Sequence, residues 1–66
     1  MSNLELSILK ELDVQNISGN NISIIMEKLD TNDKKNEFLA YMINNRNVLL
    51  SFKEIIEYIN RGVINV

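Results

Sequence analysis

This chain of 66 residues contains neither cysteine nor histidine, and these two absences constrain its fold more than any motif does. A chain of this length buries only about 60% of the surface that its unfolded form exposes, so small domains commonly rely on disulfides, a metal ion or a partner. Disulfides and the usual zinc ligands are excluded here. Since 45% of the residues are hydrophobic, we expect one folded domain over residues 1–66, stabilised by apolar packing and by another chain.

Apolar residues recur at helical spacing in four segments, which predict helices near residues 3–14, 21–29, 33–45 and 52–61. Ser2 with Glu5, and Ser51 with Glu54, have the spacing of capping boxes at the starts of the first and last helices. Gly62 stands where a glycine commonly ends a helix. Because no strand alternation interrupts these segments, we predict an all-α fold, a small four-helix domain made of two helical hairpins.

Polar and glycine-containing stretches separate the predicted helices. Gly19, within QNISGNN, is free to take a positive φ and so to break the chain between the first two helices. In the next turn, DTND, any of the residues 30–32 could cap the third helix. Between the third and fourth helices we expect Val48, Leu49 and Leu50 to seal the bend, with Leu50 packing on Ile55 as a hydrophobic staple.

Catalytic chemistry is difficult to build from these residues. General acid–base catalysis near neutral pH most often uses histidine, and neither of the two glycines belongs to a phosphate-binding loop. Glu54 and Glu57 share a helix face with basic neighbours, which indicates a solvated charged surface rather than a catalytic carboxylate pair. We therefore expect a protein that is not an enzyme and that has no cofactor and no metal site.

The charge balance favours a protein partner. A net charge of −2 and a pI near 4.9 argue against a free-standing nucleic-acid-binding protein, because phosphate contacts need clustered Lys and Arg. No apolar run approaches the roughly 20 residues that span a bilayer. The opening MSNLELSILKELD carries acids and lacks the basic lead of a secretory signal. We expect a cytoplasmic protein that makes no membrane contact.

One alternative remains open, a helix-turn-helix DNA-binding regulator. The predicted helices 22–29 and 33–45, with the turn DTND between them, have suitable lengths for this motif. Lys34, Lys35 and Asn36 would then lie at the start of the recognition helix, where base contacts are made. The other interpretation is that the two lysines balance the acidic residues around them.

Residues 37–59, EFLAYMINNRNVLLSFKEIIEYI, combine an aromatic residue, an aliphatic block and a serine helix cap at a defined spacing. The positions that carry this pattern are Phe38, Tyr41, Met42 and Ile43, then Ser51 thirteen residues after Phe38, Ile55 four residues later, and the closing pair Tyr58 and Ile59. This segment resembles the helical-hook dimerisation segment of the Sin family of antirepressors and repressors. Asn45 departs from the alanine that this family favours.

The resemblance implies a bacterial or phage regulator that associates through its C-terminal hairpin, as a homodimer or as a heterodimer with a transcriptional regulator. An antirepressor-like protein of this kind would compete with the target's own dimer partner. The residues predicted to bind the partner are Phe38, Tyr41, Met42, Ile55, Tyr58, Ile59, Val63 and Ile64. Val63 and Ile64 have no evident partner within the sequence, and two placements stay open, folding back on the first helix or contact with another subunit.

Overall fold

The computed structural model describes residues 2–62, and these residues form four α-helices and no β-strand. The helices are α1 (Asn3–Val14), α2 (Asn20–Lys28), α3 (Asn32–Asn44) and α4 (Phe52–Asn60). The predicted all-α class is confirmed. Over the same residues each helix is too short or too polar to cross a bilayer.

Capping side chains fix the starts of three helices. In α1 the Ser2 hydroxyl accepts a hydrogen bond from the Glu5 N–H at 3.2 Å, and the Glu5 carboxylate accepts one from the Ser2 N–H at 3.1 Å. The same reciprocal pair joins Ser51 and Glu54 at the start of α4, at 3.1 and 3.0 Å. Thr31 is the residue that caps α3. Both predicted capping boxes are therefore confirmed. Each satisfies backbone donors that the start of a helix leaves free.

The C-terminal ends of α1 and α4 are each followed by a residue in the left-handed conformation. After α1, Asn16 has φ 61°, the N–H of Ile17 donates to the Leu12 carbonyl, and the N–H of Asn16 donates to the Asp13 carbonyl. These two bonds form a Schellman motif in which an asparagine replaces the usual glycine. After α4, Gly62 has φ 96° and donates to the Ile59 carbonyl, as the sequence predicts.

The position of Gly19 differs in detail from the sequence-based expectation. Its φ is 62°, so the positive value is confirmed, but the residue serves as the N-cap of α2. A glycine has no side chain with which to cap, and α2 accordingly begins without a side-chain hydrogen bond. The break after α1 is made earlier, by Asn16, because asparagine tolerates the left-handed region better than other non-glycine residues.

The core draws residues from all four helices and from the segments between them. The buried members are Ile8, Leu12, Ile17, Ile25, Leu29, Phe38, Met42, Leu50, Ile55 and Ile59. The closest backbone pairings are α1 with α3 and α2 with α4. The expected arrangement in two hairpins is therefore seen only in part: α3 and α4 meet through tyrosine side chains, while the main helix pairs join alternate helices.

Candidate partner-binding surface

The residues predicted to bind a partner fall into three groups in the structure. Phe38, Met42, Ile55 and Ile59 lie in the chain's own core, Tyr41 and Tyr58 are half-buried at the surface, and Val63 and Ile64 lie outside the described residues. Phe38, Met42 and Ile55 have 0% of their surface exposed. They therefore present no contact area to a partner in this conformation, whereas the two tyrosines do.

A buried glutamine at the C-cap of α1 holds the loop between α3 and α4, residues 45–51, which is called the tip loop below. The Gln15 side-chain amide donates to the carbonyls of Asn45 at 3.2 Å and of Val48 at 2.9 Å. Its carbonyl oxygen accepts from the N–H of Leu50 at 2.9 Å. These three bonds tie one side chain to three backbone groups, so the tip loop has a fixed conformation relative to α1.

An ion pair one turn earlier on α1 holds the same loop. The Arg46 guanidinium donates Nε–H to one Glu11 oxygen at 3.1 Å, and its Nη2 donates to the other oxygen. The hydrogen bond with Glu11 raises the pKa of Arg46 above its ordinary value. Glu11 is buried although it is charged, which this bidentate pairing makes tolerable. Arg46 therefore bonds α1 from just beyond the end of α3.

The fixed tip loop exposes large apolar side chains. Val48 is 51% exposed and Leu49 is 82% exposed, while the next residue, Leu50, is buried. The expectation that all three seal the bend is therefore correct only for Leu50, which shares the core with Ile55. Isolated exposed apolar residues are common on proteins. Two adjacent ones on a loop whose backbone is held by side-chain hydrogen bonds form a defined apolar surface.

A groove lies between α3 and α4, with a volume of about 270 Å³ and lined by Tyr41, Glu54, Glu57, Tyr58 and Arg61. The two tyrosine rings stack with centroids 3.7 Å apart and planes at 7°. Three of the five lining residues come from one face of α4, where they recur at helical spacing, and Arg61 follows as the C-cap of this helix. The groove thus combines an aromatic stack with two carboxylates and one guanidinium.

The electrostatic environment of the groove is negative. Burial raises the pKa of the Tyr41 hydroxyl above its ordinary value, the charge of Glu54 raises it further, and Arg61 opposes this effect. Burial likewise raises the pKa of Tyr58, with additional contributions from Glu37 and from Tyr41. Carboxylates on both helices therefore act on the tyrosine pair, and both phenols are neutral at physiological pH.

The basic residues at the start of α3 are engaged within the chain. Lys34 Nζ lies 2.8 Å from an Asp30 oxygen, and Lys35 Nζ lies 3.8 Å from a Glu5 oxygen. Both lysines thus have a carboxylate neighbour. The positive charge that a recognition helix would direct at phosphates is correspondingly reduced.

Residues 2–62 contain no group of three or more acidic, histidine or cysteine side chains that could hold a metal ion. Comparisons with protein-family models, with curated proteins and with solved structures find no match.

The surface features found in the structure have only weak signals in the sequence. The apolar run 48–50 indicates apolar packing at the bend between α3 and α4, but it does not show which of these side chains point outward. The aspect that sequence reasoning missed is the role of Gln15, since a glutamine after a helix gives no sign of a bond to residues thirty or more positions away. The interpretation of Glu54 and Glu57 as a charged surface leaves out the tyrosines beside them.

Proposed function

We propose that this protein is a regulatory protein–protein interaction module, which binds its partner through the C-terminal hairpin formed by α3, the tip loop and α4. The single observation that carries this proposal is the exposed pair Val48 and Leu49 on a loop fixed by Gln15. Exposed apolar groups on a rigid support are typical of contact sites, because little conformational entropy is lost when the partner covers them.

The size of the effect can be estimated for Leu49 alone. Fully burying a leucine side chain contributes about 1.5–3 kcal/mol. A residue that is 82% exposed in the free protein retains most of that contribution for binding. Because about 1.4 kcal/mol corresponds to a tenfold change in affinity, this one side chain accounts for roughly ten- to hundredfold. Leu49 is therefore the anchor to test first.

The mechanism that we propose is antirepressor-like competition. Residues 37–59 resemble the dimerisation segment of the Sin family, so the hairpin would bind a similar hairpin on a transcriptional regulator and displace that protein's own partner. Self-association of two copies uses the same surface. Tyr41 and Tyr58 are the predicted anchors that remain at the surface, and the tip loop adds Val48 and Leu49 to them.

Two observations weigh against DNA as the partner. Lys34 and Lys35 have intramolecular carboxylate neighbours, and the chain carries a net charge of −2. Non-specific DNA binding depends on releasing counterions through several free cationic contacts. The helix-turn-helix alternative therefore has less support than the protein-binding proposal, and a gel shift at low salt and micromolar protein tests it directly.

Site-specific photo-cross-linking tests the proposal. A photoreactive benzoylphenylalanine is placed at Leu49, and in a control protein at Asn36, which is exposed on α3. Irradiation in the cells of origin is expected to give one protein adduct from position 49 and none from position 36. Equal labelling from both positions would contradict a surface centred on the tip loop.

The captured protein is then purified and its affinity for the hairpin measured. Leu49→Asp is expected to weaken the complex at least about tenfold, while circular dichroism shows an unchanged helical fold. An antirepressor-like role predicts that the captured protein is a transcriptional regulator whose dimer dissociates when the complex forms. Light scattering of this chain alone, over a hundredfold concentration range, shows whether it also pairs with itself.

A further inference from the structure

The groove between α3 and α4 contains negative charge that the chain does not neutralise. In the described part of the chain the ion pairs are Lys34 with Asp30, Lys35 with Glu5 and Arg46 with Glu11. Glu54 and Glu57 form none of these pairs, although Arg61 lines the same groove one turn further on. The Glu57–Arg61 spacing predicts a helical ion pair, and its absence from this group leaves the Glu57 carboxylate available. Glu54 Oε1 accepts from the Ser51 N–H at the start of α4, so the other oxygen of Glu54 is the one that can accept from a ligand.

The aromatic stack adds a second source of attraction for a positively charged group. Each tyrosine ring carries a negative quadrupole over its face, and two faces at 3.7 Å and 7° place these quadrupoles against each other. A cation over the outer face of either ring is attracted by this quadrupole, with about 0.5–1 kcal/mol at exposed sites. The carboxylates that line the groove therefore act together with the rings of Tyr41 and Tyr58 to favour a positive group.

The volume of the groove selects the size of that group. At about 270 Å³ it is smaller than the ~300–1,000 Å³ of pockets that hold cofactors or drug-sized ligands. It also opens along the surface of the hairpin that we propose as the partner-binding region. A single side chain of another protein is thus a better match than a free small molecule.

We propose that this groove binds an arginine side chain from a basic segment of the protein partner. The planar guanidinium can stack on a tyrosine ring and at the same time donate to the carboxylates of Glu54 and Glu57, whereas an ammonium group cannot stack. The charge of the groove and the net charge of −2 are complementary to such a segment. This inference rests on the proposed function, because the arginine belongs to the same partner that covers the tip loop.

The protein supplies its own reporter for the test. Its sequence has two tyrosines and no tryptophan, and both tyrosines lie in the groove. Intrinsic tyrosine fluorescence therefore reports on the groove directly. The probe is N-acetyl-arginine amide, with N-acetyl-citrulline amide as the uncharged isostere and N-acetyl-lysine amide as the alternative cation. We expect a saturable change with the arginine probe in the millimolar range and none with citrulline.

Two variants are expected to change the affinity for the arginine probe in opposite directions, and a third serves as the control. Glu54→Gln with Glu57→Gln is expected to weaken arginine binding about five- to tenfold, and glutamine at position 54 can still complete the capping box. Arg61→Gln is expected to strengthen binding, since it removes a resident cation that competes for the same carboxylates. The matched control is Asp13→Asn with Glu27→Gln, which removes two exposed charges away from the groove and should leave binding unchanged.

Several outcomes would overturn the inference. These are equal binding of the citrulline or lysine probe, an equal loss in the control variant, or weaker binding after Arg61→Gln. The cross-linking result at Leu49 separates this inference from the proposed function. A specific adduct there, together with no response to the arginine probe, removes the arginine site and leaves the interaction module. A response to arginine without any adduct removes the tip loop as the contact.

Discussion

Replacing Gln15 with leucine is expected to destabilise the fold and to release the tip loop. The side chain is 4% exposed and makes three hydrogen bonds, two as donor to the carbonyls of Asn45 and Val48 and one as acceptor from the Leu50 N–H. Leucine has a similar volume and no polar atoms, so it removes all three bonds without opening a large cavity.

The magnitude follows from the bonds. Each is worth about 1 kcal/mol net, giving about 3 kcal/mol for the set, and the added apolar burial returns a part of this. The N–H of Leu50 is then left without its acceptor in a buried position, which is the costliest of the three losses. We expect the free energy of unfolding to fall by about 2–3 kcal/mol. A domain of 66 residues has about 3–10 kcal/mol in total, so this is a large fraction.

Two measurements check the expectation. Urea denaturation followed by circular dichroism gives the change in free energy, and the melting temperature should fall by roughly 10–20 °C. Hydrogen exchange reports on the Leu50 amide itself, whose protection should be lost in the Gln15→Leu protein. The control is Asn47→Ala, at an exposed position of the same loop. A loss no larger than in this control, or unchanged protection of Leu50, would show that Gln15 does not hold the tip loop.

Four further outcomes follow from the helix ends and the groove. Asn16→Ala should be less stable than Asn16→Gly by about 1–2 kcal/mol in urea denaturation, because φ at this position is 61° and alanine is disfavoured there; equal stabilities would exclude the left-handed cap. Ser51→Ala should cost about 1 kcal/mol, whereas Ser23→Ala, at an exposed position inside α2, should cost nothing; a similar loss in both would exclude the cap. The raised pKa of Tyr41 means that the folded state keeps its phenol proton after the unfolded state has lost it, so stability falls as pH rises above about 10. Glu54→Gln should lower the pKa of Tyr41, measured by ultraviolet titration in a Tyr58→Phe background, and an unchanged value would show that the Glu54 carboxylate does not act on this ring.

The parts of the fold that the sequence predicts are those set by neighbouring residues. The sequence predicts both serine–glutamate capping boxes and the role of the glycine after α4, because the residues that bond to each other lie only three positions apart. Apolar spacing likewise predicts the four helices. Local signals compete where several candidates adjoin: a glycine and an asparagine near α1 can each adopt a positive φ, and the structure uses Asn16 for the helix end and Gly19 for the next helix start.

The candidate site depends on contacts that local signals do not encode. Glu11 and Arg46 are separated by 35 residues, and Gln15 bonds groups 30–35 residues away. Nothing in the spacing of these residues distinguishes them from solvated side chains. Whether Leu49 or Leu50 faces the core likewise depends on the backbone path that Gln15 enforces. The conformation of the tip loop can therefore be described only once the packing of α1 against α3 is known.

The burial of the predicted anchors has a physical explanation. Phe38 and Met42 lie on the face of α3 that is directed inward, and α1 packs against this helix with Ile8 and Leu12. The sequence is compatible with that apolar face filling the core and also completing it against another chain, because a short chain has little interior. Four helices of nine to thirteen residues are nevertheless sufficient to enclose a phenylalanine completely.

These positions separate two ways in which the hairpin could bind a partner. An interlocked pair that uses Phe38, Met42 and Ile55 must first expose them, at a cost of roughly 5–9 kcal/mol, which is comparable to the whole stability of the domain. Docking on Leu49 and the tyrosine groove needs no opening. Stopped-flow binding distinguishes the two: surface docking gives an observed rate that rises linearly with partner concentration, with a rate constant of about 10⁵–10⁷ M⁻¹ s⁻¹. A rate that reaches a plateau equal to the unfolding rate would instead show that the buried anchors are exchanged and that the tip loop is not the first contact.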